Sequence, residues 1–279
     1  MNVNSWSENL VIEHWPKRDP NSHKGNHGKV GIIAGSQLMP GAAALCAGAA
    51  VESGAGLTAV NTVRTVIPIC AGHVPEATFY HRDDDLNGFM EGKDAVAAGP
   101  GLGRLSDDII EDLITNFDGP LVIDADGLYE LRSHEVIIRK RTAPLIITPH
   151  AGEMARIINE DIEYVTGNRY EAAEKLAIDY GIYVVLKGPE TIVAEPNGTL
   201  WVNHTGNAGL AKGGTGDVLT GMILAFIGRY DDIQPAVSSA VYMHGYAADY
   251  LIEHGEAMES VTASKVIKIL SSSFQRLIN

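Results

Sequence analysis

The sequence is poor in cysteine, aromatics and positive charge, and it contains no long apolar run. Only Cys46 and Cys70 occur, each among small or apolar residues, which reads as two buried thiols in a reducing compartment rather than a disulfide framework. A cytoplasmic location is the expectation. No apolar stretch approaches the roughly 20 residues that a membrane helix needs. The opening residues MNVNSWSENLVIEHWPKRDP have no basic segment followed by an apolar one, so neither membrane insertion nor secretion is expected. Against 35 Asp and Glu stand 21 Lys and Arg, a formal charge of −14, and no stretch concentrates the basic residues. No nucleic-acid partner is expected, and a phosphate-bearing ligand has to be held by local donors rather than by the field of the whole molecule. The G-x-x-x-x-G-K-[ST] loop of P-loop nucleotide-binding proteins is also missing, because Lys212 precedes its glycine pair instead of following it.

What is present is an ordinary globular composition: 279 residues, 45% hydrophobic, 20% charged, with a mean hydropathy of +0.01. No low-complexity linker, fixed-period repeat or charge shift divides the chain, so residues 1–279 are expected to form a single domain. Short apolar runs bounded by Gly, Pro or Asp recur at Val30–Ala34, Leu57–Val63, Ala95–Ala98, Leu121–Ile123, Leu145–Ile147, Tyr183–Leu186 and Ile192–Ala194. Several lack polar alternation, as strands of a parallel sheet covered on both faces do. Helical patterns lie between them at Gly41–Ser53, Asp107–Asn116 and Arg169–Tyr180. The alternation indicates an α/β fold with a mostly parallel central sheet flanked by helices. From about Asn203 onward three helical segments follow, near Asp217–Ile227, Gln234–Ile252 and Thr262–Leu277, and are expected on one side of the sheet. The Asp-rich stretch His81–Gly88 reads as a mobile surface loop.

The chemistry concentrates in Asn203–Leu219, N-H-T-G-N-A-G-L-A-K-G-G-T-G-D-V-L, which leads from a short strand through a glycine-dense loop into an apolar helix. The free amides of Gly214–Asp217 at a helix start form a place for an anion, phosphate above all. Asp217 then stands where a carboxylate can meet both the positive helix end and a transferring group, as a general base on a hydroxyl would. Taken alone, a G-x-G-D is equally read as a flexible turn before a first-turn helix residue.

Six further motifs accompany that loop. They are HKGNHGKVGIIAGS (His23–Ser36), MPGAAALCAGAAVESGAGL (Met39–Leu57), AAGPGLG (Ala97–Gly103), VIDADGL (Val122–Leu128), TPHAGE (Thr148–Glu153) and VLKG (Val185–Gly188). In this order the set resembles the NAD(P)H-hydrate dehydratases, members of the ribokinase-like superfamily. The resemblance implies a ribokinase-like fold with a helical C-terminal segment. It also implies a lyase that repairs hydrated NADH and NADPH (NADHX and NADPHX), with ADP or ATP as co-substrate and Mg²⁺ as cofactor. Phosphorylation of the C6 hydroxyl would make it a leaving group, and loss of phosphate would restore the ring double bond. Asp217 would be the base, and the amides of Gly214, Thr215 and Gly216 would bind the moving phosphoryl group.

Other roles follow from the same likeness. His150, Gly103, Ala42, Ala43 and Asp217 would contact the hydrated nicotinamide nucleotide. Lys187, Gly188, Pro189, Glu190 and Thr191, together with Gly214–Gly216, would bind ADP or ATP. Pro189 departs from the common K-G-N pattern, having neither an N–H nor an amide side chain to donate. Asp124 would help hold the metal, and Lys24, Gly25 and Gly28 would help close the cleft. A homotetramer is implied too, and a separate epimerase would be needed as functional partner, since the matches and trailing helices use the whole chain.

Structural readings stand beside these. His150 could be a satisfied histidine after a strand, Glu153 the first-turn acid of the next helix, and AAGPGLG a tight strand-to-helix turn. The alternative function is a small-molecule kinase, for a vitamin or sugar, of the same superfamily; a non-enzymatic nucleotide-binding regulator would not require the base at Asp217. Gly54–Ala59 fits the G-x-G-x-x-A of a dinucleotide-binding dehydrogenase, but it follows a helix and opens a strand, the reverse of the order that aims amides at a pyrophosphate.

Overall fold

The computed structural model describes residues 2–103 and 106–278. Its strands are β1 (Asn2–Ser5), β2 (Lys29–Ile33), β3 (Leu57–Thr62), β4 (Thr78–His81), β5 (Ala95–Ala98), β6 (Leu121–Ile123), β7 (Leu145–Ile147), β8 (Tyr183–Leu186), β9 (Ile192–Ala194) and β10 (Thr199–Val202). They form one sheet in the order β1-β10-β9-β8-β7-β6-β5-β2-β3-β4. Every neighbouring pair is parallel except the two made by β9, which runs antiparallel to β8 and β10.

Successive residues of the central strands feed two cores, because side chains alternate across a sheet. Val30, Ile32, Val122, Ile146 and Val185 face one layer of helices, which includes Pro40–Glu52, Thr215–Ile227, Ile233–Glu253 and Ala263–Ile278. Ile33, Val96, Ile123, Ile147 and Val184 face the other, with Asp107–Asn116, Ala151–Ile158 and Arg169–Tyr180. The three helical segments expected after Asn203 therefore do share one side of the sheet. Both cysteines are free and buried.

Chain order reverses between β2 and β5: from β2 the chain works outward to β3 and β4, then returns to β5 and proceeds the other way. The crevice beyond the carboxyl ends of strands at such a reversal is where open α/β sheets receive ligands. Two features differ from the sequence expectation. β1 and β4 are edge strands with alternating or largely exposed residues, so they lack the apolar signal of the interior strands. The stretch His81–Gly88 is an anchored turn: Arg82 donates to the carbonyl of Ala34 at 3.0 Å and to Asn61 Oδ1 at 2.9 Å, and Asp85 caps the short helix Leu86–Met90.

Candidate active site

Three parallel strands deliver polar residues to one end of the sheet: Asp124 follows β6, His150 follows β7 by three residues, and Lys187 follows β8. Lys187 Nζ lies 2.7 Å from Asp124 Oδ1 and 3.9 Å from Glu153 Oε2. Thr220 Oγ1 donates to Asp124 Oδ2 at 2.7 Å. Asp124 is only 1% exposed, and burial works against its ionisation. The Lys187 charge and the hydrogen bonds outweigh that and hold its carboxyl below the usual range. Burial works against the Lys187 ammonium, but the charges of Asp124 and then Glu153 outweigh it and hold its pKa above the usual value.

The helix Thr215–Ile227 starts beside this pair. Its N-cap is Gly214, at φ +89°, with no side chain capping the first turn; the Thr215 amide points to the Lys212 carbonyl at 3.5 Å, which leaves the Gly214 and Gly216 amides for a ligand. Thr215 Oγ1 ties the approach, donating to the carbonyls of Leu210 (2.8 Å) and Lys212 (2.9 Å). Gly216 sits so close to the pair that a Cβ there would lie 3.6 Å from Lys187 Nζ and 3.9 Å from Asp124 Oδ2. Asp217, one residue on, is pushed up to about 7 by burial first and by the Asp124 charge second, with Lys187 opposing and Asp126 adding to the rise. A carboxyl that titrates near neutrality, beside unclaimed amides and a lysine, can take a proton from a hydroxyl while a phosphoryl group is held.

A cavity of about 590 Å³ opens next to it, lined by Lys187–Thr191, by Asn203–Ala208 and Leu210 of the loop, and by Thr215 and Gly216. Seven of the eight expected nucleotide-binding residues thus face one space, and Gly214 borders it. The walls are braced from elsewhere. Asp249 accepts from Gly206 N–H (2.7 Å) and from Asn207 Nδ2 (2.8 Å), and Thr205 Oγ1 donates to the carbonyl of Tyr242 (2.7 Å). Arg169 donates to the carbonyls of Leu186, Pro189 and Glu190, so the segment without an amide at Pro189 is shaped through its oxygens. His244, pushed down to about 4 chiefly by burial, lines the same cavity as a neutral imidazole. Sequence reading missed Thr220, Asp249, Arg169 and His244. The run Tyr246–Asp249, Y-A-A-D, near the end of an apolar helix carries no chemical signature, and the others act through lone side chains.

The remaining expected residues, Ala42, Ala43, Gly103 and His150, do not line that cavity. Gly103 N–H donates to Asp126 Oδ2 at 2.9 Å. Ala42 lies beside Gly101, whereas Ala43 is fully buried toward Gly35, leaving Ala42 the member of the pair on the cleft side. His150 has 59% of its side chain exposed and also caps the helix Ala151–Ile158, its Nδ1 accepting from Gly152 and Glu153 N–H while Glu153 accepts from the His150 amide. The capping box accounts for Glu153. One expectation is overturned. Lys24, Gly25 and Gly28 do not close the cleft, because they precede β2 and therefore lie at the amino end of the sheet, where Gly28 packs on Gly228 beyond the far end of the Thr215–Ile227 helix.

Comparison with known proteins adds the following. Residues 30–271 match a family model described as NAD(P)H-hydrate dehydratase. The ADP-dependent (S)-NAD(P)H-hydrate dehydratase of Bacillus subtilis is 37% identical over 99% of both chains. Its crystal structure, described as ADP/ATP-dependent and co-crystallised with ATP/Mg²⁺, superposes with a TM-score of 0.91 over 99% of both chains. A bifunctional NAD(P)H-hydrate repair enzyme of Thermofilum pendens is 34% identical over 94% of this chain but only 54% of its own length, so the chain spans about half of that two-function relative. A ribokinase-like superfamily protein of Enterococcus faecalis aligns at a TM-score of 0.84 with 26% identity, over 99% of this chain and 96% of its own.

Proposed function

Because the chain belongs to the NAD(P)H-hydrate dehydratase family, we propose that it dehydrates (6S)-NADHX and NADPHX to NADH and NADPH at the expense of ADP or ATP. The observation that carries the reading is Asp217: a carboxyl raised to about 7, beside the Gly214 and Gly216 amides and the cavity lined by Lys187–Thr191. In the first step the C6 hydroxyl oxygen attacks the terminal phosphorus of the nucleotide. Its proton passes to Asp217, and AMP leaves from ADP, or ADP from ATP. In the second step the C6–O bond breaks, phosphate departs with the bonding pair, and loss of the C5 proton forms the ring double bond.

Lys187, paired with Asp124, meets the phosphates as a compact cation. Ala42, Gly103 and His150 border the hydrated nicotinamide, with Ala43 backing it. The residues present fit a Mg²⁺ ion that arrives with the nucleotide. Among the described residues no three His, Cys, Asp or Glu side chains cluster as a metal cage, which suits an ion held mainly by phosphate oxygens and water. Asp124, kept ionised beside Lys187, is the carboxylate that would help hold the ion. When bound it neutralises charge on the phosphates.

The chain acts, on this reading, as a single-domain homotetramer in the cytoplasm, with a separate epimerase interconverting the hydrate epimers. The two-function relatives favour that last coupling. Among the described residues no helix is long and apolar enough to cross a membrane. The test is to incubate hydrated NADH with the protein, Mg²⁺ and ADP or ATP. Reduced-nicotinamide absorbance should return with one inorganic phosphate released per molecule repaired. A stable phosphorylated product instead would make the protein a small-molecule kinase.

A further inference from the structure

The segment that does not close the cleft builds a second, basic pocket at the other end of the sheet. Two adjoining hollows of about 330 and 560 Å³ share Arg18, Asp19, Ser22 and His27. The first adds Lys17 and Arg229, the second His23 and Lys24. The sequence scatters these cations, Arg229 lying more than 200 positions from the rest, so their meeting is a product of the fold. Asp19 is the one carboxylate that lines either hollow. Among the described residues, neither Arg18 nor Arg229 is ion-paired with a carboxylate. Lys17, Arg18, His23 and Lys24 are exposed, so this positive patch in a protein of charge −14 stands open to an anion from solution.

The pocket is fixed rather than incidental. Arg229 donates to the carbonyl of Ser53 at 2.5 Å and lies over the Trp15 ring at 5.6 Å. Arg18 reaches the carbonyl of Gly54 at 3.4 Å. Each guanidinium carries five N–H donors, so most of both remain for a ligand. A Cβ at Gly56 would come within 1.9 Å of the Lys24 carbonyl, which shows how tightly the loop before β2 is pressed against the start of β3. His27 Nε2 lies 2.7 Å from Ser22 Oγ on the wall between the two hollows. The 13-residue helix Thr215–Ile227 separates this end from Asp217 by roughly 20 Å.

We infer that this pocket binds a small phosphate-bearing ligand, its oxyanion held between the Arg18 and Arg229 guanidiniums with Lys17 and Lys24 at the rim. The forked donors match tetrahedral oxyanions. The inference does not depend on the proposed activity, since no residue of this pocket belongs to the site around Asp217.

His27 supplies a local readout. Its imidazole is held below the usual range by burial first, then by Arg18, Arg229 and His23, so an anion seated among these groups should raise its pKa. Its ring signals, assigned with His27→Gln, are followed by NMR while inorganic phosphate, and separately ADP, is added at constant ionic strength with chloride as control. Saturable His27 shifts are expected in the millimolar range or tighter, with a rise in its titration midpoint. Arg18→Gln and Lys24→Gln should each weaken the response about tenfold or more while leaving turnover unchanged. Response to phosphate marks the free ion as sufficient, and response to ADP alone marks a phosphate ester as the source. Shifts no larger than those from chloride, or wild-type responses in both variants, overturn the proposal.

Discussion

In the free protein the Asp217 carboxyl titrates at about 7 rather than at 3.8, through burial and then the Asp124 charge, and that displacement sets what Asp217→Asn does to stability. Between those two values the folded chain holds a proton that the unfolded chain releases. Folded stability therefore falls as pH rises through this window, and the whole cost is present above about 7. At about 1.4 kcal/mol per unit the displacement amounts to about 4 kcal/mol. Water reaching the half-buried group reduces this to roughly 2 kcal/mol. Asparagine is neutral throughout and escapes the cost. Thermal unfolding should then show the variant about 4–8 °C more stable than the parent at pH 8, with the difference vanishing by pH 4, while turnover of hydrated NADH drops by roughly 10²–10⁴-fold. A variant that unfolds no later than the parent at pH 8, or a gap of the same size at pH 4 and pH 8, would refute the placement of an ionised, poorly solvated base at this position.

Lys187→Met strips the main partner from the buried Asp124 carboxylate and should cost about 3–5 kcal/mol in urea unfolding; adding Asp124→Asn should recover much of it, and a loss under 1 kcal/mol in the single variant would contradict the pairing. Asp249→Ala frees the Gly206 amide and the Asn207 side chain and should weaken ADP binding by about tenfold or more in calorimetry, with helical circular dichroism unchanged; full affinity would mean the loop holds its shape without that carboxylate. Gly221→Ala puts a Cβ 2.1 Å from the Cys46 carbonyl oxygen, forcing the helices Pro40–Glu52 and Thr215–Ile227 apart at a cost of about 1–3 kcal/mol, and an unaltered melting temperature would show that the contact can relax.

The interior of the sheet was legible because burial on both faces leaves its mark on consecutive residues. Strands β5 to β9 coincide with apolar runs to the residue, each stopped by Gly, Pro, Asp, Thr, Lys or Glu. β1 and β4 carry no such mark, since an edge strand is defined by its partner: Asn2–Ser5 is a strand because it pairs with Thr199–Val202, nearly 200 residues away. The candidate site divides in the same way. Gly214–Asp217 and Lys187–Thr191 are each one contiguous stretch, and contiguity is what a sequence displays. Thr220 reaches Asp124 across 96 residues and Asp249 reaches Asn207 across 42, each through one side chain that could have served as plain helix surface or core.

The misplaced residues Lys24, Gly25 and Gly28, which open the His23–Ser36 segment, show a different limit. The segment's glycines report that the chain is closely packed there, but close packing occurs at both ends of a sheet. Direction decides between them: in a parallel sheet a residue before a strand sits at the amino end, and ligands gather at the carboxyl end. The run after Gly28 was correctly taken as a strand, so Lys24 and His27 already belonged to the side away from Asp217. What sequence could not supply was Arg229, which the Thr215–Ile227 helix carries from the phosphate end to the basic pocket by ending where it does. The helix that presents Asp217 at its start thus sets Arg229 beside Arg18 past its finish, and its length is what keeps the Asp217 carboxylate clear of the guanidiniums, whose field would otherwise pull its titration back toward the ordinary carboxylate range.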